Sequence, residues 1–94
     1  MNNEFRTSDS DLSTYLLILG YKISYIEVTI DKRHDNKLKA FIHFDGEMSE
    51  LINIQSKCKL GEIKINLKDF SINRQQINKI IKNKLSEYKQ NNNK

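Results

Sequence analysis

The sequence predicts a small α+β domain whose elements follow the order α-β-β-α-β-α. Apolar residues switch between helical spacing and strict alternation, and no linker, proline or internal repeat divides the 94 residues. We expect one domain over residues 1–94, with an ordered core over 5–89 and a flexible tail over 90–94. The sheet should be antiparallel with about three strands, and the helices should pack mainly on one of its faces.

A first helix is predicted between Ser8, which can cap its N-terminus, and Gly20, which can end it. Between them, apolar residues recur on a single helical stripe, at Leu12, Tyr15, Leu16 and Leu19. Residues 1–6 are expected to be loose, with Phe5 as an anchor.

Residues 21–31 and 37–45 alternate between apolar and polar side chains, which predicts a β-hairpin joined by the polar loop 32–36. The inward side chains of the two strands are expected to be Ile26, Val28 and Ile30, and Leu38, Ala40, Ile42 and Phe44. The residues before Ile26 follow the opposite phase, so we expect a bulge or bend near Ser24 and Tyr25.

The remaining elements are a helix over about 47–58, a short strand over 62–66 and a long last helix. Asp45 can cap the second helix and Gly61 can end it. Residues 62–66 alternate and are expected to pair with the hairpin. Asn66 can cap the last helix, whose apolar stripe contains Leu67, Phe70, Ile77, Ile81, Leu85 and Tyr88.

Charge is divided unevenly along the chain. Residues 67–94 carry seven cations and two anions, whereas residues 1–66 are nearly neutral. The last helix is therefore a candidate nucleic-acid surface, with the residues Arg74, Lys79, Lys82, Lys84 and Lys89. The competing interpretation is a solvated helix face, enriched in Lys by AT-rich coding; the chain has only three Arg.

The aromatic residues suggest a second kind of surface. Tyr21 and Tyr25 can stack on a base or a nucleotide ring, or can pack at a domain edge or a subunit interface. Tyr25, Phe41 and His43 fall on the hairpin face opposite the predicted core. If no helix covers that face, its aromatic patch marks a contact with a partner or with another copy of the chain.

The motifs of catalysis are missing from the sequence. It contains no P-loop, GxGxxG, HExxH, CxxC or GxSxG pattern. Cys58 is the single cysteine, which excludes an internal disulfide, and its spacing from His34 and His43 does not resemble a zinc site. We therefore expect a protein that is not an enzyme and that uses neither a metal nor another cofactor.

Several short segments resemble a family of phage- and prophage-encoded domains of unknown function. These segments are the opening Phe5-Arg6-Thr7-Ser8-Asp9, the helix end Leu19-Gly20-Tyr21, the pair Phe41 and Phe44, and Lys68-Asp69-Phe70. The resemblance spans roughly residues 5–88. It implies a mobile element of a low-GC bacterium and supplies no catalytic residues.

These observations predict a small binding protein of a phage, acting as an inhibitor of a host immune effector or as a sponge for a nucleotide signal. Its partner would be a host protein or a nucleotide, and a small domain of this kind is expected to form homo-oligomers. The alternative is a regulator that binds nucleic acid through the basic last helix. Residues 1–7 are polar and the longest apolar run is five residues, so we expect a cytoplasmic protein without a membrane segment.

Overall fold

The computed structural model describes residues 4–92, and within them it contains three strands and three α-helices. In chain order these are β1 (Phe5–Thr7), α1 (Ser10–Ile18), β2 (Lys22–Asp31), β3 (Lys37–Asp45), α2 (Met48–Lys59) and α3 (Leu67–Asn92). The strands form one antiparallel sheet in the order β1-β3-β2, and a 3₁₀ turn at Lys32–His34 joins β2 to β3. The predicted α+β class and the antiparallel sheet of three strands are confirmed.

The pairing of β2 with β3 follows the predicted alternation. Ile26 lies opposite Ile42, Val28 opposite Ala40, and the register shifts by one residue between Ile23 and Tyr25. The predicted bulge near Ser24 and Tyr25 is therefore confirmed. Its effect is to place Tyr25 directly opposite His43, so that the two aromatic side chains share one face of the sheet.

The third strand lies at a different place in the chain from the one predicted. Residues 62–66 form no strand; instead Phe5–Thr7 pairs with β3, with Phe5 opposite Phe44. Phe5–Thr7 occupies the edge of β3 that residues 62–66 could have joined, and these residues do not pair with the outer edge of β2 either. Ile63 and Ile65 are half-buried and line a cavity beside α2 and α3 instead. The order is therefore β-α-β-β-α-α.

The first helix begins one residue later than predicted, because Asp9 rather than Ser8 is its N-cap. The Asp9 carboxylate accepts hydrogen bonds from the backbone N–H groups of Asp11 and Leu12, at 2.9 and 3.2 Å. The backbone N–H of Asp9 in turn donates a hydrogen bond to the hydroxyl oxygen of Thr7 in β1. At the other end Gly20 has a φ of +98° and ends the helix, as predicted; its hydrogen bonds form a Schellman motif.

The other helix ends are partly as predicted. Glu47, not Asp45, occupies the N-cap of α2, and its side chain makes no capping hydrogen bond because it accepts from Ser49 Oγ. Asn66 caps α3 as expected, accepting from the N–H groups of Lys68 and Asp69. The helix continues to Asn92, into the tail predicted to fray, and residues 93–94 lie outside the described part of the chain.

The helices cover one face of the sheet and enclose the core with it. The fully or almost fully buried apolar residues are Phe5, Leu12, Leu16, Ile42, Phe44, Leu51 and Ile77. Ser13 and Thr14 of α1 are also buried, with their hydroxyls donating to backbone carbonyls of the preceding turn. Burial of Ser13 and Thr14 beside Leu12 and Leu16 shows that α1 is covered on more than one side.

Two residues of the predicted stripes lie outside the core. Leu67 begins α3 and is 79% exposed, and Leu19 at the end of α1 is about half exposed. Both sit in the terminal turns of their helices, beyond the part that packs. Among the described helices, none combines the length and the apolarity needed to cross a bilayer.

Candidate functional site: the open face of the sheet

One face of the sheet is not covered by the helices, and we call it the open face. Ile42 and Phe44 of β3 point toward the helices, so the residues between and before them, His43 and Phe41, point the other way. Cross-strand pairing brings neighbours from β1 and β2 onto the same side. The open face therefore includes Arg6, Tyr25, Glu27, Thr29, Lys39, Phe41 and His43.

Tyr25 and His43 stack at the centre of the open face. Their ring centroids are 4.0 Å apart and their planes lie 16° from parallel. Tyr25 is 50% exposed, whereas His43 beneath it is only 6% exposed. The prediction that His43 belongs to an exposed patch is therefore wrong, because the bulge before Tyr25 lays the tyrosine ring over it.

Glu27 links the three strands through a pair of charged hydrogen bonds. Its Oε1 accepts from His43 Nε2 at 2.9 Å and from Arg6 Nη1 at 3.0 Å. These donors, the imidazole first, hold the pKa of Glu27 below its ordinary value of 4.5, although partial burial opposes them. The carboxylate is thus drawn toward β3 and β1, away from the outer edge of β2.

The apolar ring of Phe41 lies close to two cationic side chains. The guanidinium carbon of Arg6 lies 4.6 Å from the ring centroid, and Lys39 Nζ lies 5.4 Å from it. Both distances are in the range of cation–π attraction. Arg6 consequently holds Glu27 and Phe41 at once, which fixes a long side chain in one position on an exposed surface.

Glu4 lies next to the Nδ1 atom of His43. Its Oε2 lies 3.6 Å from His43 Nδ1, beyond hydrogen-bond distance, and its Oε1 accepts from Ser24 Oγ at 2.8 Å. Nδ1 is buried and has no hydrogen-bond partner within the described part of the structure. The open face is therefore anchored on an imidazole with one satisfied and one unsatisfied nitrogen.

Tyr21, the fourth aromatic candidate, does not belong to this surface. It packs against the core on the helical side, and its hydroxyl donates to Glu50 of α2 at 3.0 Å. That hydrogen bond raises the pKa of Tyr21. Its ring lies so close to Gly46 that a Cβ there would be 3.1 Å from two ring carbons. Tyr21 therefore has a packing role.

The basic candidates on α3 are only partly brought together. Arg74 forms an ion pair with Asp11 and also donates to Asn78, so its charge is already engaged. Lys84 lies 4.0 Å from Glu87, and Lys79 is exposed on the helix surface. Of the five predicted residues, two line one groove of about 420 Å³ next to Ile81 and Leu85, namely Lys82 and Lys89.

A second cavity lies where α1, α2 and α3 meet, next to Cys58. It measures about 220 Å³, and Asp9, Asp11 and Lys59 supply charged groups among apolar neighbours. Burial, followed by the nearby charge of Asp9, raises the pKa of the Cys58 thiol. Within residues 4–92 no group of three or more His, Cys, Asp or Glu side chains is arranged to hold a metal ion.

Sequence reasoning missed part of the open face. Glu27 alternates with Ile26 and Val28, so its place on this face was visible in the pattern. Arg6 and Glu4 carried no such signal, because a strand of three residues is too short for a period to appear. Only its pairing with β3, across more than thirty residues of chain, brings Arg6 beside His43.

Compared with protein-family models, with curated proteins and with solved structures, the chain has no match in any of the three. The resemblance to phage-encoded domains thus stays a prediction from the residues alone.

Proposed function

We propose that this chain is a binding protein that acts without catalysis and docks a partner protein on the open face of its sheet. The observation that carries this proposal is Tyr25, half exposed and stacked on buried His43 in a face that the helices leave uncovered. A half-exposed aromatic ring held in a fixed position is the kind of anchor on which protein interfaces depend.

The residue types of the open face support a protein partner. Tyrosine and arginine dominate the binding energy of many protein interfaces, particularly where they are held rigidly before the partner arrives. Tyr25 is fixed by stacking, and Arg6 by Glu27 and Phe41. The surface therefore presents an aromatic ring and a guanidinium group, the latter paired with Glu27, that lose little freedom on binding.

The cavity beside Cys58, the more enclosed of the two described above, does not suit a nucleotide. The cavity beside Cys58 includes the carboxylates of Asp9 and Asp11, which would repel a phosphate, against the single cation Lys59. For the biological setting we propose the one that the resemblance implies, a phage or another mobile element. In that setting the partner would be a host immune effector that the chain inhibits.

Comparative capture from a bacterial lysate tests the proposal. The wild type, Tyr25→Ser and Ile72→Ser are immobilised, and the captured proteins are quantified by mass spectrometry. Ile72 on α3 is 49% exposed, close to the 50% of Tyr25, so it controls for loss of an exposed apolar group. We expect a protein that the wild type and Ile72→Ser retain and that Tyr25→Ser loses.

The dissociation constant of the captured protein is then measured for the wild type and for each variant. We expect Tyr25→Ser to weaken binding about tenfold or more, as is typical of a central aromatic residue. Equal affinity for wild type and Tyr25→Ser would contradict a role for the open face, even if a partner had been found.

Nucleic-acid binding by α3 is a second candidate, favoured by the joint position of Lys82 and Lys89 on one groove. It predicts affinity for DNA or RNA that falls steeply with salt and is lost in Lys82→Glu/Lys89→Glu. The matched control is Lys64→Glu/Lys68→Glu, which changes the net charge by the same amount at two exposed positions outside the groove. Equal loss in both double variants would indicate a general effect of net charge and would count against the groove.

A further inference from the structure

The outer edge of β2 is long; Lys22 and the bulge at Ser24 protect its start, but residues 26–30 contain no lysine, proline or bulge. Within residues 4–92 the ten-residue strand Lys22–Asp31 pairs with β3 on one side, and no described strand pairs with the other. An unpaired edge offers its backbone N–H and C=O groups to another strand. Monomeric proteins usually shorten such an edge or place proline, lysine or an inward-facing charge on it.

The middle of β2 lacks these devices. Residues 25–31 follow the bulge and are regular, and between Ile26 and Ile30 the only charge is that of Glu27. The Glu27 carboxylate is held by Arg6 and His43, on the side of β2 that faces β3. Ile30 is 49% exposed although it lies on the apolar side of the strand.

The regular segment is also complementary to itself. Val28 is its midpoint, so an antiparallel pairing centred there sets Val28 against Val28 of the second copy and Ile26 against Ile30. Glu27 then faces Thr29, and no two like charges lie opposite each other. A centre at Glu27 would oppose two glutamates, and a centre at Thr29 would oppose Glu27 and Asp31, both of which are unfavourable.

We propose that two copies of this chain pair through β2 in the register centred on Val28, which joins their sheets into one of six strands. A two-fold axis perpendicular to the sheet keeps both helical layers on the same side, as the alternation of polar and apolar residues requires. The backbone N–H and C=O groups of each free edge then form hydrogen bonds with the other copy, and Ile30 of each copy is covered by Ile26 of the other. The two open faces then form one continuous surface.

Assembly mass of matched variants tests this pairing. Native mass spectrometry and analytical ultracentrifugation across the micromolar range should give a dimer for the wild type. Ile30→Lys places a charge against Ile26 of the other copy and should weaken the dimer about tenfold or more. Ile72→Lys is the control, because Ile72 is also 49% exposed but lies on α3. A monomeric wild type, or an Ile30→Lys protein that remains as dimeric as Ile72→Lys, would overturn the proposal.

A crosslink tests the register and does not require a destabilising substitution. In a Cys58→Ser background, Val28→Cys should form a disulfide between copies under mild oxidation, since directly opposed residues have Cβ atoms about 5 Å apart. Ile72→Cys in the same background should stay monomeric on a non-reducing gel. Absence of the crosslink in a dimeric protein would reject this register. Both tests use the chain alone, so their failure is separate from failure of the open face to bind a partner.

Discussion

The ring of Tyr25 lies flat on the ring of His43, with 4.0 Å between the centroids, on the side of the sheet that the described helices leave uncovered. The stack exists because one extra residue in β2 shifts the register and sets the two residues opposite each other. Tyr25 thereby shields a buried imidazole and remains half exposed itself. Tyr25 therefore supports the fold through this stack, and in our proposal it also contacts the partner; substitutions can separate the two roles.

Tyr25→Ala should destabilise the fold by about 1–2 kcal/mol, from the lost stack and the partial burial of the ring. Tyr25→Phe keeps the ring and should stay within about 0.5 kcal/mol of the wild type. Urea denaturation followed by circular dichroism measures both. Equal stability of the alanine and phenylalanine variants would mean that the stack contributes nothing to the fold.

Glu27 should make stability depend on pH in the acid range. Its pKa is depressed in the folded protein, first by the hydrogen bond from His43, so the folded state favours the carboxylate. This contribution is complete above the unfolded pKa of about 4.5 and is lost as the pH falls through the lower folded pKa. Glu27→Gln should therefore be less stable than the wild type at pH 7, and the difference should shrink below pH 4.5.

Urea midpoints of both proteins between pH 2 and 7 give this comparison. Asp31→Asn is a useful second variant, since the pKa of Asp31 is also lowered, first by a hydrogen bond from His34 in the exposed turn. A gap between Glu27→Gln and the wild type that stays constant with pH would show that the carboxylate charge is not what Arg6 and His43 stabilise.

Gly46→Ala should lower the free energy of unfolding more than Gly61→Ala does. Both glycines have positive φ, but a Cβ at Gly46 would lie 3.1 Å from the ring of Tyr21, whereas nothing lies within 4 Å of one at Gly61. We expect about 1 kcal/mol for Gly61→Ala from backbone strain and about 2–4 kcal/mol for Gly46→Ala from strain plus overpacking. Thermal unfolding ranks the two, and the opposite ranking would contradict the packing of Tyr21 at this turn.

Asn66→Ala should cost about 1 kcal/mol of stability, because two N–H groups at the start of α3 lose their side-chain acceptor. Asn83→Ala is the control, since Asn83 is an exposed residue within the same helix and alanine favours helix there. Chemical denaturation should show loss in the first variant and no loss in the second. Equal effects would indicate that the cap contributes no more than an ordinary surface residue.

Much of the fold follows from local patterns. The alternation of Ile26, Val28 and Ile30 identified the face of β2, and the change of phase before Ile26 located the bulge. Gly20, Gly61 and Asn66 marked helix ends because each has a conformational or hydrogen-bonding role that depends on few neighbours.

The third strand could not be assigned in this way. Residues 62–66 alternate as a strand does, whereas residues 5–7 are too few to show any period. Pairing with β3 decides between them, and that choice depends on contacts distant in sequence. The same limit applies to the open face. Strand alternation predicts that Tyr25, Phe41 and His43 share this face, but the burial of His43 depends on the stacked Tyr25 ring and the nearby Glu4, which alternation does not predict.

Site-specific photocrosslinking tests the central claim most directly, that the open face binds a partner protein. A benzophenone amino acid replaces Tyr25, which preserves an aromatic ring at a half-exposed position, and in a second protein it replaces Ile72. Irradiation in a bacterial lysate should attach one and the same host protein to position 25, and attach it far less to position 72. Adducts of equal abundance at both positions, or adducts at position 72 alone, would contradict the account.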